Sequence, residues 1–138
     1  DWKARMLDNA IDVLLPVPLY VASSVEENFK NRHDPSDWVF MMQCLKKDFP
    51  GDFQKACAFF KGNLYSPCNM FIMKREVLNA LCSWLFPILF NVADHGGQKE
   101  DSYLNRYPGF ISERLISLFF EINRSRFRVV YTDKNFLP

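Results

Sequence analysis

Apolar positions along this chain switch between strand-like runs and helix-like stripes. Residues 1–10 read as a polar approach. Ile11 to Val21 is a Val- and Leu-rich run of the kind expected for a strand buried on both faces. Pro16 and Pro18 donate no ladder bonds, so pairing is expected to end near Leu15, or the strand to lie at an edge. Glu26 to Asp37 reads as a charged loop in which His33-Asp34-Pro35-Ser36 makes a turn and a helix start. Ser36 then caps a predicted helix to about Lys47, with Trp38, Met41, Met42 and Leu45 on one face. Pro50-Gly51 breaks it, and a short helix from Asp52 to about Lys61 follows, stopped by Gly62.

Asn69 to Met73 is a short apolar strand that turns into a long helix at Arg75. Val77, Leu78, Leu81, Trp84 and Leu85 give that helix its stripe, and Pro87 should kink or interrupt it. Asp94 to Asp101 is the most polar and Gly-rich stretch, hence a surface loop. Gly109 to Asn123 is a further helix with Ile111, Leu115, Leu118 and Phe119 inward, and Phe127 to Tyr131 a final β-branched strand. The order is an α/β one, with a small sheet covered by several helices. Ala80 to Ala93, the most apolar window, is interrupted by Ser83, Pro87 and Asn91 and falls short of the roughly 18–20 residues a membrane span needs.

Bulk properties narrow the classes. With 138 residues the chain is one domain or part of one. Apolar residues make up 49% and aromatics 16%, including 14 Phe, which is ample for a core and argues against disorder. A net charge of only +1 argues against a dedicated nucleic-acid binder. The four cysteines show no CxxC and no His at ligand spacing, so they read as reduced structural thiols of a cytosolic protein. There is no GxGxxG, P-loop, HExxH or GxSxG motif, and no metal site is expected.

Three groups of residues could carry chemistry. In the block Arg106-Tyr107-Pro108-Gly109-Phe110-Ile111-Ser112-Glu113-Arg114-Leu115, Glu113 falls in the first turn of its predicted helix, where the macrodipole favours a carboxylate. It either stabilises the helix start, paired with Arg106 or Arg75, or is a catalytic carboxylate beside arginines that hold phosphate oxygens. Glu113 and Arg114 are about 100° apart around the helix, so they cannot both face one point. Asn69, before Lys74-Arg75-Glu76, either reads a sugar or amide or satisfies a nearby backbone group. His33 with Asp34 and Asp37 could be a general base or a ligand set, and is weaker. If the last strand begins early, Arg124, Arg126 and Arg128 share one face of it, either guarding an edge or meeting anionic lipid headgroups or a diphosphate.

Several of these blocks together resemble a bacterial family known as domain of unknown function 4422, whose members look like sugar-transfer proteins of capsular and exopolysaccharide gene clusters. The matching positions are Asn69 to Met73, Cys82 with Trp84 to Phe86, and Arg106 with Gly109, Phe110, Glu113, Arg114 and Leu115. His33 and Asp37-Trp38 also fall where the family tends to show a His and an acid. The resemblance covers nearly the whole chain but lacks a further N-terminal half, so residues 1–138 are expected to be the C-terminal part of a larger domain. It implies a partial GT-A-like nucleotide-sugar transferase fold and a hexosyltransferase-type reaction. The donor would be a nucleotide-sugar and the acceptor a glycan or lipid-linked hydroxyl. Glu113 would be catalytic, and Arg106, Arg114, Asn69, His33 and Arg75 would bind substrate. Any divalent metal accompanying the donor would find its ligands outside this stretch. The implied location is cytoplasmic, with a peripheral place at the inner face of the membrane left open. The competing expectation is a non-catalytic glycan-binding or assembly module, using Trp2, Trp38 and the Phe-rich segment 109–120 as an aromatic platform.

Overall fold

The computed structural model describes residues 2–134, apart from the side chain of Trp2. Its elements are α1 (Trp2–Asp8), β1 (Val13–Pro16), β2 (Leu19–Tyr20), α2 (Val25–Lys30), α3 (Pro35–Asp48), α4 (Phe53–Phe60), β3 (Leu64–Tyr65), β4 (Ile72–Met73), α5 (Arg75–Gly96), a 3-10 turn at Leu104–Arg106, α6 (Tyr107–Ile122) and β5 (Val129–Thr132). The architecture is α/β, with a small sheet under several helices.

β1 is the central strand of a three-stranded sheet ordered β4-β1-β5. It runs antiparallel to β4, with Val13 opposite Met73, and parallel to β5, with Val13 opposite Val129 and Pro16 opposite Thr132. Asp12 fastens all three strands at one end. Its carboxylate takes Lys74 Nζ at 2.8 Å and the Arg128 N–H at 2.9 Å, while its carbonyl accepts the Lys74 N–H at 3.0 Å. The Lys74 bond, followed by the Arg128 N–H, holds the Asp12 carboxyl below its ordinary range. Lys74, read from sequence as part of a solvated edge, is therefore a sheet fastener.

The two prolines do more than end a strand. Ile11 to Val21 is split between β1 and β2, and β2 pairs with β3 in a separate two-stranded sheet. Residues 2–8 form a helix rather than a polar approach, because Met6 is buried against the body. The charged stretch after residue 24 likewise contains α2. Ser24 Oγ accepts the Glu27 N–H at 3.0 Å, and Val25 and Phe29 face the core. In α3 the cap is Asp34, not Ser36: its Oδ1 accepts the Ser36 N–H at 2.9 Å, with Pro35 in the first turn.

The expected strand Asn69 to Met73 shrinks to Ile72–Met73. Cys68 and Asn69 have φ of 76° and 44°, a left-handed conformation incompatible with extended pairing. α5 passes through Pro87 without a break, since Pro87 lies on the exposed face and leaves the buried stripe intact. In length and composition α5 is enough to cross a membrane, with mean hydropathy 1.4, unlike the shorter window read from sequence. One face of it buries Val77, Leu81, Trp84, Leu85, Ile88 and Val92 between α3 and α6, while Phe86 and Phe90 are exposed. α6 starts at Tyr107, two residues before the expected Gly109.

The C-terminal end of α5 is closely packed. Gly96 lies against Tyr107 and Asp37, and the Tyr107 hydroxyl sits 3.0 Å from Gly97 O and 3.1 Å from Ala93 O. A Cβ on Gly96 would stand 2.6 Å from Tyr107 Oη and 2.7 Å from Asp37 Oδ1. Gly96→Ala is therefore expected to destabilise the protein by about 1–3 kcal/mol, the usual cost of overpacking. Urea unfolding measures it, and an unchanged midpoint with an unchanged slope would contradict this packing.

Candidate functional site

The site grows from a loop held in an unusual conformation. Ser66, at its start, donates from its hydroxyl to Pro16 O and from its N–H to Ser117 Oγ, both at 2.9 Å. These bonds pin the loop to the end of β1 and the middle of α6. Cys68 and Asn69 then take successive left-handed conformations, uncommon for a cysteine and tolerated by asparagine. The Asn69 side-chain amide donates to Gly109 O at 3.0 Å. The Cys68 N–H donates to the Glu113 carboxylate.

Two clefts flank this loop and share Asn69. One, about 340 Å³, is lined by Asn69, Asn105, Arg106, Gly109, Phe110 and Glu113. The other, about 440 Å³, is mostly apolar and lies over Leu14, Pro16, Met70, Phe71 and Thr132, with Lys134 at its edge. Pro16 and Thr132 end the parallel pair β1 and β5. The apolar cleft therefore opens at the carboxyl ends of parallel strands, the usual ligand position in α/β sheets, and the polar cleft adjoins it through Asn69.

Glu113 is the chemical centre of the polar cleft. Its side chain is 16% exposed. Burial pushes its carboxyl above the ordinary 4.5, against the opposing pull of the Cys68 N–H and the charges of Arg114, Lys134 and Arg106. With α6 beginning at Tyr107, Glu113 lies in the second turn, so the expected helix-start placement does not hold and desolvation governs its proton. Lys134 Nζ lies 3.0 Å from Cys68 Sγ, close enough to bias the carboxylate.

Asn69, Arg106 and Glu113, distant in sequence, meet in one cleft. The Arg106 guanidinium lies over the Phe110 ring at 5.4 Å. Arg114 goes elsewhere. Only 2% exposed, it donates to Phe110 O at 2.7 Å and Asn28 Oδ1 at 2.8 Å and lies over Tyr65 at 4.5 Å, with Glu113 at 4.0 Å. It ties α6 to α2 and β3. Arg75 is an exposed first residue of α5 and lines neither cleft. His33 is buried behind the cleft, stacked on Phe110 at 4.4 Å and tilted against Phe29 at 4.7 Å.

The carboxylates near His33 in sequence are occupied with something else. Asp37 is 1% exposed and pairs with Lys99 Nζ at 3.1 Å, while Asp34 caps α3 and reaches the same ammonium at 3.2 Å. Burial raises the Asp37 pKa despite that pairing. Among the described residues, no three His, Cys, Asp or Glu side chains converge as a metal cage. The aromatics expected to form a glycan platform are mostly interior: Trp38, Phe119 and Phe120 are buried and Phe110 half-buried, while the side chain of Trp2 lies outside the described residues. Lys99, Tyr103 and Asn105 carried no signal in the sequence, because their partners are distant in the chain or belong to the cleft itself.

The family model described as a domain of unknown function (DUF4422) matches residues 3–124. Among solved structures, the chain is similar to "WbbM bifunctional glycosytransferase apo structure", with a TM-score of 0.81 and 21% identity. The similarity covers 98% of this chain and 26% of that one, so the chain spans about a quarter of that protein's length. At this identity the likeness establishes a shared fold. No curated protein matches the sequence.

Burial, followed by the charges of Arg114 and Arg32, lowers the His33 pKa from 6.5 to about 4. Between those values the unfolded ring binds a proton and the folded ring does not, so stability falls as pH drops through that window. His33→Phe, which keeps an aromatic stack and cannot titrate, is expected to flatten this part of the profile. Urea midpoints across the pH series decide it, and parallel wild-type and variant curves would be the contrary result.

Proposed function

The chain belongs to the DUF4422 family, and on that footing we propose that it is a glycosyltransferase-like protein of capsular or exopolysaccharide synthesis. It moves a sugar from a nucleotide-diphosphate donor to a hydroxyl of a glycan or lipid-linked acceptor. The observation that carries the reading is Glu113. A carboxylate with its pKa raised by burial stands in a polar cleft between Asn69 and Arg106, which shares Asn69 with an apolar cleft at the carboxyl end of a parallel strand pair. The glycosyltransferase-like fold supports it independently.

In this reaction the acceptor oxygen attacks the anomeric carbon, the bond from that carbon to the diphosphate breaks, and the acceptor proton passes to Glu113. A carboxylate whose pKa lies above the usual range is the better general base, because it binds the proton it accepts more firmly. Arg106 and Lys134 offer positive charge to the departing diphosphate. Asn69, rigid through its bond to Gly109 O, hydrogen-bonds a sugar hydroxyl. His33 acts from behind, fixing the Phe110 ring over which Arg106 lies.

Glu113→Gln separates binding from chemistry, since the amide keeps the shape and cannot accept the proton. In a titration with a panel of nucleotide-sugars, the variant is expected to bind the preferred donor like wild type and to lose about 10²–10⁴-fold in turnover. The wild-type rate should fall as pH drops through the Glu113 pKa, above 4.5, and this limb should vanish in the variant. Turnover retained by Glu113→Gln, or no donor bound at all, would remove the transferase reading.

A further inference from the structure

Resting on that reading, we propose that Lys99 is a positioning residue. It latches the 97–106 segment to the buried Asp37 and so holds Arg106 in place for the donor's diphosphate.

The segment after α5 contains only the short 3-10 turn, yet it carries Asn105 and Arg106 into the cleft. Its own bonds are local. The Lys99 N–H donates to Asn105 Oδ1 at 2.9 Å and the Leu104 N–H to Asp101 Oδ1 at 2.8 Å. Such a knot folds the loop on itself without fixing it to the body. Besides the Tyr107 hydroxyl at 3.0 Å from Gly97 O, side chains at both ends supply that. At one end Lys99 Nζ reaches Asp37 at 3.1 Å and Asp34 at 3.2 Å and lies 4.9 Å over the Tyr107 ring. At the other, Tyr103 stacks on His33 at 5.8 Å and lies tilted against Phe110 at 5.1 Å.

The Lys99 attachment is the more exacting. Asp37 lies on the inward face of α3, and one of its oxygens is withdrawn from solvent with no hydrogen-bond partner beyond the ion pair. A buried carboxylate left without its cation is costly, so the pair selects one loop position rather than tolerating several. Gly96 provides the room, because any side chain there would strike Asp37 Oδ1 and Tyr107 Oη. Tyr107, which touches this latch, immediately follows Arg106. Displacing the lysine therefore moves the residue next to the guanidinium, and a shift of about 1 Å in a substrate-holding group is enough to cost about 100-fold in rate.

Lys99→Met tests this, with Lys99→Arg as the charge-retaining control. Two readouts are needed: amide hydrogen exchange across residues 99–106, and affinity for inorganic diphosphate by titration calorimetry. Exchange at Leu104, Asn105 and Arg106 is expected to quicken in Lys99→Met, and diphosphate affinity to fall about tenfold, towards that of Arg106→Ala. The double variant should bind no more weakly than Arg106→Ala alone, because Lys99 acts through Arg106. Lys99→Arg should recover most of the affinity. A purely structural lysine would not give this non-additivity. Should Lys99→Met fail to fold, Asp37→Asn with Lys99→Met removes both charges and carries the same test. Unchanged exchange, unchanged affinity, or losses that multiply would overturn the proposal. Failure of the transferase reading shows separately, as turnover kept by Glu113→Gln. A wild-type protein that binds no diphosphate overturns the role given to Arg106 in both.

Discussion

Helix α6 is enclosed on almost every side, and that enclosure decides what each polar side chain along it can do. From Leu115 to Phe120 six consecutive residues are buried, so the helix has no solvent face there. Polar groups within such a helix must find partners in the protein. Ser117 sits 3.0 Å from Glu113 O and accepts the Ser66 N–H. Arg114 uses two hydrogen bonds and two aromatic faces, those of Tyr65 and Phe29. Glu113, its neighbour, turns towards the cleft and is partly desolvated there. One packing arrangement thus produces a buried arginine and a partly desolvated carboxylate facing a cleft, side by side in the chain.

The cleft is rigid where Glu113 lies and more conditional where Arg106 lies. Its Glu113 wall is built from α6 and from the Cys68–Asn69 corner, itself fastened by Ser66 and by the Asn69 bond to Gly109. Its Arg106 wall is a segment with little regular structure, attached through side chains to α3 and to the aromatic stack of His33, Phe110 and Tyr103.

Local signals were readable where neighbours in sequence make the interaction. Asp34-Pro35 opens α3, the spacing of Trp38, Met41 and Leu45 shows its buried face, and Gly62 follows α4. Even α2 had its sign in Ser24 and Glu27, obscured by the charges around it. The strand Asn69 to Met73 misled because its apolar pattern is genuine, while the backbone at Cys68 and Asn69 is bent by contacts with α6 some forty residues away. Glu113 and Arg114 were recognised as a charged pair, but their separate fates depend on which side of α6 is covered by α2 and β3.

By itself the sequence determined the α/β class, the main helices and the family. It also singled out Asn69, Arg106 and Glu113 as residues of interest. These follow from periodicity, capping chemistry, composition and motif spacing, which act over a few residues or are visible as a pattern. Tertiary structure alone decided that those three share one cleft and that Arg114 and His33 stand behind it. It also decided that Lys99 finds Asp37 across sixty-two positions. The reason is physical: desolvation and ion pairing depend on what surrounds a group in space, and that is fixed only when distant segments pack together.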